Sequence, residues 1–448
     1  MRRSKIALIL PAAVVCAIAW QRAQESAPSA PPDRVSDAFA AGWMLSDTNG
    51  DGIADSIAGK IVVPAHPSAA ENAAAADLAG RAGFGSTGLT LPLVVNAAAD
   101  TADGPRIWVG KDAVPAARSQ ELLPLLQLLE KDEGGVFAVG DNLAVVGTDD
   151  NGLLAAAEAY SARAPYQWRI NGDKLSAIVD AARAAAPEAH SRLIGVSYMR
   201  GQPGIRRAFL DGRTAVTAAA LGIAVGSAHL AAVHELVVLG GASAVNPKSF
   251  APGPTAPVPA ATAQPGGEGA GGSQPPRLDL ATLYTSHGLF TGTAKMPVPS
   301  NLDTHLYVPA SAAGTAMANL AARMGLETTG LTLPLASTAA GAAARDVRTQ
   351  AVIAGDSDLA REAERKLRSQ DTVAAQAETN LSPGEGELRI VDDSFGRRGA
   401  VLVRGDDTGS AAALDLLSER FPNVWETGKQ HLSLEEIRYD LHQFFSLR

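Results

Sequence analysis

Two stretches of the chain carry the same order of apolar and polar positions. In the first, Lys60 to Val63 is a short β-branched run closed by Pro64. Ser68 to Ala82 reads as a helix, with Ser68 as its cap and Glu71 three positions on, the spacing of a capping box. Leu89 to Val95 and Arg106 to Val109 read as further strands. Glu121 to Lys131 has leucines at 122, 123, 125, 126, 128 and 129 and predicts a well-buried helix, provided Pro124 falls in its first turn. Gly135 to Val139 and Asn142 to Val146 predict a hairpin around Gly140-Asp141, and Leu153 to Arg163 a closing helix.

The second stretch repeats that order. Thr304 to Val308 is a strand, Thr315 to Met324 a helix, Leu331 to Leu335 and Ala351 to Ala354 strands, and Ser357 to Ser369 a helix. Glu387 to Val391 and Ala400 to Val403 are strands, and Ser410 to Arg420 is the last helix. The repeat is literal in places. Gly88-Leu89-Thr90-Leu91-Pro92-Leu93 returns 242 residues later as Gly330-Leu331-Thr332-Leu333-Pro334-Leu335. Gly147-Thr148-Asp149-Asp150-Asn151-Gly152 returns as Arg404-Gly405-Asp406-Asp407-Thr408-Gly409. A duplicated unit of this length is a folded module used twice. Strands alternating with helices predict an α/β fold of two tandem modules with mostly parallel sheets.

The modules are expected over 37–170 and 280–426. Between them, residues 190–245 predict a small strand–helix–strand insert: Arg192 to Met199, Thr214 to Ala224, His234 to Leu239. Residues 251–277 are rich in Pro and Gly and predict a disordered linker. Residues 427–448 predict an amphipathic C-terminal segment that docks on further structure. At the other end, Arg2, Arg3 and Lys5 precede the apolar run Ile6 to Trp20, so residues 1–30 read as a signal peptide or anchor. A cut is expected after Ala17-Ile18-Ala19 or near Ala27 to Ala30. Residues 21–36 read as a tether. The expectation is a secreted or periplasmic protein that meets the membrane only through an uncleaved N-terminal segment.

Composition narrows the classes. Hydrophobic residues are 46% and charged residues 19%, as in globular chains. Aromatics are only 5%, which argues against an aromatic-lined polysaccharide cleft. Cys16 is the only cysteine and lies in the N-terminal segment. Its removal would exclude disulfides, zinc thiolates and cysteine nucleophiles together. The formal charge of −9 argues against nucleic acid and anionic lipid as partners and says nothing of neutral sugars.

One local motif points to a ligand. In Asp47-Thr48-Asn49-Gly50-Asp51-Gly52-Ile53-Ala54-Asp55, oxygen side chains stand at positions 1, 3, 5 and 9 with glycine at 6, like the first part of a calcium loop. Asp47, Asn49, Asp51 and Asp55 are the expected ligands of a structural calcium ion. Position 12 is Ala58, so water or another segment would complete the shell. The paired acids Asp149-Asp150 and Asp406-Asp407 precede predicted helices, where carboxylates cap and favour the positive end. Gly83-Phe84-Gly85-Ser86-Thr87-Gly88 spells GxGxxG but follows a helix, the wrong order for a dinucleotide fingerprint. His229 and His234-Glu235 lack the spacing of HExxH. No residue is assigned a catalytic role.

Each copy resembles the small α/β domain that precedes the catalytic barrel in β-hexosaminidases, α-glucuronidases and α-N-acetylglucosaminidases. The resemblance rests on Ile61 to Pro64, the helix with Glu71, Ala74 and Leu78, and Ile107-Trp108-Val109-Gly110. It continues through Val136 to Val139, Leu143 to Gly147, Asp150 and Gly152-Leu153-Leu154, and covers roughly 61–165 and 304–422. The tandem copies are also similar to flavodoxin-like repeats in periplasmic subunits of cellulose synthase. In the hydrolases this domain is non-catalytic. The resemblance therefore implies an exported scaffold or binding module associated with polysaccharide metabolism, with a polysaccharide or an envelope protein as partner. The alternative is an accessory N-terminal part of a secreted hydrolase whose chemistry lies in an interdomain cleft or an absent domain.

Overall fold

A computed structural model describes residues 34–101, 103–163, 175, 192–211, 233–239, 248–250, 278, 280, 283–285, 288–293, 296–370, 381–395 and 398–419. The signal segment, most of the tether, the insert helix, the linker and the C-terminal segment lie outside these residues. The first module opens with a ribbon, β1 (Leu45–Ser46) and β2 (Ser56–Ile57). Then come β3 (Lys60–Val63), α1 (Ala69–Phe84), β4 (Val94–Asn96), β5 (Arg106–Val109), α2 (Ala116–Leu126), β6 (Glu133–Val139), β7 (Asn142–Gly147) and α3 (Asp150–Arg163). Next are β8 (Arg192–Met199), β9 (Ile205–Asp211), β10 (Val233–Leu239) and β11 (Lys248–Phe250). The second module has a ribbon of β12 (Phe290–Thr293) and β13 (Met296–Leu302), then β14 (Thr304–Val308), α4 (Ser311–Leu326), β15 (Ala336–Thr338) and β16 (Gln350–Ala354). It ends with α5 (Asp358–Gln370), β17 (Gly386–Phe395), β18 (Arg398–Gly405) and α6 (Asp407–Glu419).

The fold is α/β, and the repeat extends to topology. The first module orders its strands β4-β3-β5-β7-β6 and the second β15-β14-β16-β18-β17, position for position the same. In each, three pairings are parallel and the last is antiparallel. The antiparallel β6–β7 pair is the hairpin expected around Gly140-Asp141, with Gly140 at φ 57°. The ribbons repeat as well: Leu45 faces Ile57 in one and Phe290 faces Leu302 in the other.

Four details depart from the sequence pattern. The apolar hexapeptides at 88–93 and 330–335 are not strands. Each is an extended approach with a cis peptide before Pro92 or Pro334, and the strand starts at Val94 or Ala336. Helix α2 begins earlier than expected and places Pro124 in its last turn. There the missing N–H costs little, because the helix is ending: Leu128 and Leu129 already bond three residues back. Only Leu122 and Leu125 are buried on α2, and Leu123 is 45% exposed, so it covers the sheet with one edge. Strand β9 is unannounced, because Arg206 and Arg207 interrupt its apolar run. Finally, the insert strands extend the first sheet: β8 pairs antiparallel with β6, giving a nine-stranded sheet that runs out to β11.

The modules join through α1 and α4. Both helices are alanine-rich and buried on nearly every residue of their middle turns. They run alongside each other in one sense. Ser311 N donates to Pro67 O at one end, and glycines meet backbone at the other. A Cβ on Gly83 would stand 2.0 Å from Ala322 O, and one on Gly325 would stand 2.0 Å from Gly80 O. These two contacts are the same contact seen from either side, so the helices cross about a pseudo-two-fold axis. One continuous apolar core spans both modules, including Ala75, Leu78 and Val94 from the first and Met317, Leu320 and Leu335 from the second.

Candidate functional site

The acidic loop hangs between β1 and β2, in the ribbon position that both copies share. Asp55 N bonds Ser46 O across the ribbon, and Thr87 N bonds Ala54 O, tying the loop base to the end of α1. In the second copy Thr329 N bonds Pro299 O in the same way, but the β12–β13 turn carries no acidic series. Inside the loop the side chains bond the local backbone. Asp47 accepts from Gly50 N at 2.7 Å and Gly52 N at 2.8 Å, and Asn49 Oδ1 accepts from Asp51 N at 2.9 Å. Asp51 accepts from Ile53 N at 2.8 Å. Asp55 accepts from Thr48 N at 2.7 Å and Thr48 Oγ1 at 2.5 Å, and these bonds hold its carboxyl below the ordinary value. Asn49 Nδ2 stands between Asp51 Oδ2 at 3.2 Å and Asp55 Oδ1 at 3.3 Å. The turn thus draws oxygens of Asp51 and Asp55 onto one amide nitrogen. All four side chains are near the surface.

The most unusual buried groups lie at the module joint. Asn319 on α4 reaches across to the first copy, where Oδ1 accepts from Leu93 N at 2.8 Å and Val94 N at 2.7 Å. Its Nδ2 donates to Val94 O at 3.0 Å. Asp77, the matching residue on α1, reaches to the second copy and accepts from Leu335 N at 2.7 Å and Ala336 N at 3.1 Å. Each helix therefore grips the end of the other copy's repeated hexapeptide. Asp77 is fully buried, and its Oδ2 has no partner among the described residues. Burial pushes its carboxyl well above the ordinary 3.8, against the two amide bonds; Glu158 adds to the rise and Arg200 opposes it. A neutral, protonated Asp77 is nearly isosteric with Asn319.

This fixes the sign of a pH effect. The folded chain keeps the Asp77 proton at pH values where the unfolded chain has lost it. Its stabilising contribution is full below about 3.8 and falls as pH rises through the folded-state pKa. Asp77→Asn is expected to remove that slope, raising the melting temperature at pH 7 while leaving it near the wild-type value around pH 4. Melting curves from pH 4 to 8 check this; a variant less stable than wild type at pH 7 would contradict it.

The first acid of each recurring pair is a cap. Asp149 Oδ1 accepts from Gly152 N at 2.8 Å and Oδ2 from Asp132 N at 3.1 Å. Asp406 repeats this with Gly409 N at 2.7 Å and Gly384 N at 2.9 Å, and these bonds hold its carboxyl below the ordinary value. Ser68 and Glu71 form the expected capping box, and Gly85 is the C-cap of α1, so the GxGxxG run is a helix end. Glu235 pairs with Arg207 at 2.8 Å, while His229 and the His234 side chain lie outside what is described. Among the described residues no group of three or more His, Cys, Asp or Glu side chains is assembled to hold a metal.

One juxtaposition has no sequence signal. His305 and Ser337 lie on the neighbouring parallel strands β14 and β15, and His305 Nε2 is 2.9 Å from Ser337 Oγ. Burial pushes the imidazole down to about 4, so it is neutral at pH 7. The pair opens on a cavity of about 470 Å³ that Tyr307, Asp346 and Arg348 also line. A second cavity, about 540 Å³, lies at the carboxyl ends of β16 and β18. Its charges are already matched: Arg361 meets Asp356 and Asp358, and Arg404 meets Glu387 and Glu364. Among the described residues no helix is long and apolar enough to cross a membrane. No protein-family model matches the chain, and no curated protein matches it.

Proposed function

We infer that the protein is an exported, non-catalytic scaffold or binding module serving polysaccharide metabolism, with a neutral polysaccharide or an envelope protein as partner. The observation that carries the non-catalytic part is where the recurring polar side chains go. Asp149 and Asp406 cap helices, and Asp77 and Asn319 join the modules. What was kept in both copies maintains the platform. The link to polysaccharide rests on the resemblance to hydrolase-associated α/β domains. A glycan array and a hydrolase substrate panel on the full chain test it. Glycan or envelope-protein binding without turnover is expected, and turnover would sink the non-catalytic reading.

A structural calcium ion belongs to the same proposal. Asp47, Asn49, Asp51 and Asp55 would hold it, with water completing the shell, and it would stiffen the ribbon loop. Millimolar calcium is expected to raise the melting temperature relative to chelator, and Asp51→Asn to erase the difference. No shift in the wild type would remove the assignment.

The His305–Ser337 pair favours a second reading, in which the chain contributes to hydrolysis. A neutral imidazole beside a hydroxyl can accept a hydrogen bond from it. Under this reading, any turnover found on the panel is lost in Ser337→Ala.

A further inference from the structure

The duplication exposes a difference at one sheet edge. In the first module β6 is covered on both sides, by β7 and by β8. In the second module β17 takes the place of β6, and among the described residues it pairs with β18 alone. An open edge presents backbone donors and acceptors to any strand that can reach them.

The two edges also share a side-chain feature. Glu133 stands at the head of β6, fully buried, and accepts from Glu130 N at 2.8 Å. The covering ribbon completes it: Ser197 Oγ of β8 donates at 2.6 Å and Arg207 Nη1 of β9 at 2.5 Å. Ser197 and Arg207 face each other across β8 and β9, so one ribbon delivers both. Glu385 stands at the head of β17 in the same local turn and accepts from Ser382 N at 2.9 Å. The glycine that follows is matched too, Gly134 against Gly152 O and Gly386 against Gly409 O. Yet Glu385 is exposed. Farther along β17, Glu387 is already neutralised by Arg389 and Arg404. Glu385 at the head of this edge is a carboxylate whose counterpart, Glu133, takes a hydroxyl and a guanidinium.

We propose that the free edge of β17, with Glu385 at its head, is a strand-addition site for a protein partner that presents an antiparallel β-ribbon, a hydroxyl side chain on its first strand and an arginine on its second. The backbone ladder supplies the attachment. Glu385 sets the register, because only one alignment brings the arginine onto the carboxylate. The proposal adds a partner's chemistry to the scaffold reading. Its failure would leave the glycan-array result untouched.

The test uses the full chain and a synthetic peptide of residues 192–211, which carries Ser197 and Arg207. Hydrogen exchange should show amides of 386–391 slowing on peptide addition. Binding of the labelled peptide should weaken at least about tenfold with Glu385→Gln in the chain or Arg207→Ala in the peptide, the loss of one charge-assisted contact. Glu385 is exposed, so Glu385→Gln should fold normally, and an unchanged melting temperature verifies this. Three results would overturn the proposal. One is no protection of 386–391 at millimolar peptide. Another is slow exchange, before peptide is added, of those amides of 386–391 that point away from β18, which would mean that the chain's own residues cover the edge. The third is binding indifferent to Glu385→Gln.

Discussion

Gly325→Ala is expected to destabilise the folded chain by roughly 3 kcal/mol or more, the upper end of overpacking costs. A methyl group at this position would sit 2.0 Å from Gly80 O and 2.9 Å from Phe84 N, both backbone atoms of α1. Backbone cannot rotate aside as a side chain can, so α1 and α4 must separate. That separation loosens the alanine packing on both helices and stretches the bonds of Asn319 and Asp77 beside it. Gly83→Ala should cost about as much, since its contact with Ala322 O is the pseudo-symmetric mate. The double variant should cost less than the sum, because the first substitution has already moved the helices apart. Urea unfolding of the three variants checks this. A single-variant loss under about 1 kcal/mol, or strict additivity, would contradict a tightly crossed helix pair.

Asn319→Ala carries the second large effect, a loss of about 3 kcal/mol. Alanine leaves Leu93 N, Val94 N and Val94 O without their partner in a buried joint. Each orphaned buried group costs on the order of 1 kcal/mol or more. The pseudo-symmetry allows a sharper check. Asn319→Asp alone should introduce a second pH-dependent joint and a steeper loss of stability toward neutral pH. The exchange Asp77→Asn with Asn319→Asp should restore wild-type behaviour, because each joint then has the residue of its mate. If the exchanged protein is as weak as Asn319→Asp, the two joints are not interchangeable.

Local pattern revealed the repeat, the strands β3, β5, β6, β7, β14, β16 and β18, and the caps at Ser68, Asp149 and Asp406. These depend on neighbours within a few residues, which a single sequence displays. The joint was hidden. Asp77 and Asn319 look like polar breaks in alanine-rich helices, and their partners lie more than 200 residues away. The same distance explains the misreading of the repeated hexapeptides. Their apolar alternation imitates a strand, but its end is shaped to be held by the other copy's helix. His305 and Ser337 were illegible for a like reason, since parallel strands bring together residues with no fixed spacing along the chain. The acidic turn at 47–55 is the reverse case: its spacing is wholly local, and its side chains bond the backbone of the same turn.

Carrying both halves on one polypeptide has a further effect. In a dimer of identical subunits every substitution appears twice, so a buried acid at the joint would come as a pair, each acid needing its own proton. Here one half holds Asp77 and the other Asn319, and only one half bears the acidic turn at 47–55. Covalent linkage lets either half drift while its sister holds the shared shape. It is the difference between the halves, at Glu385 and at Asp47, that a search for specific activity should follow.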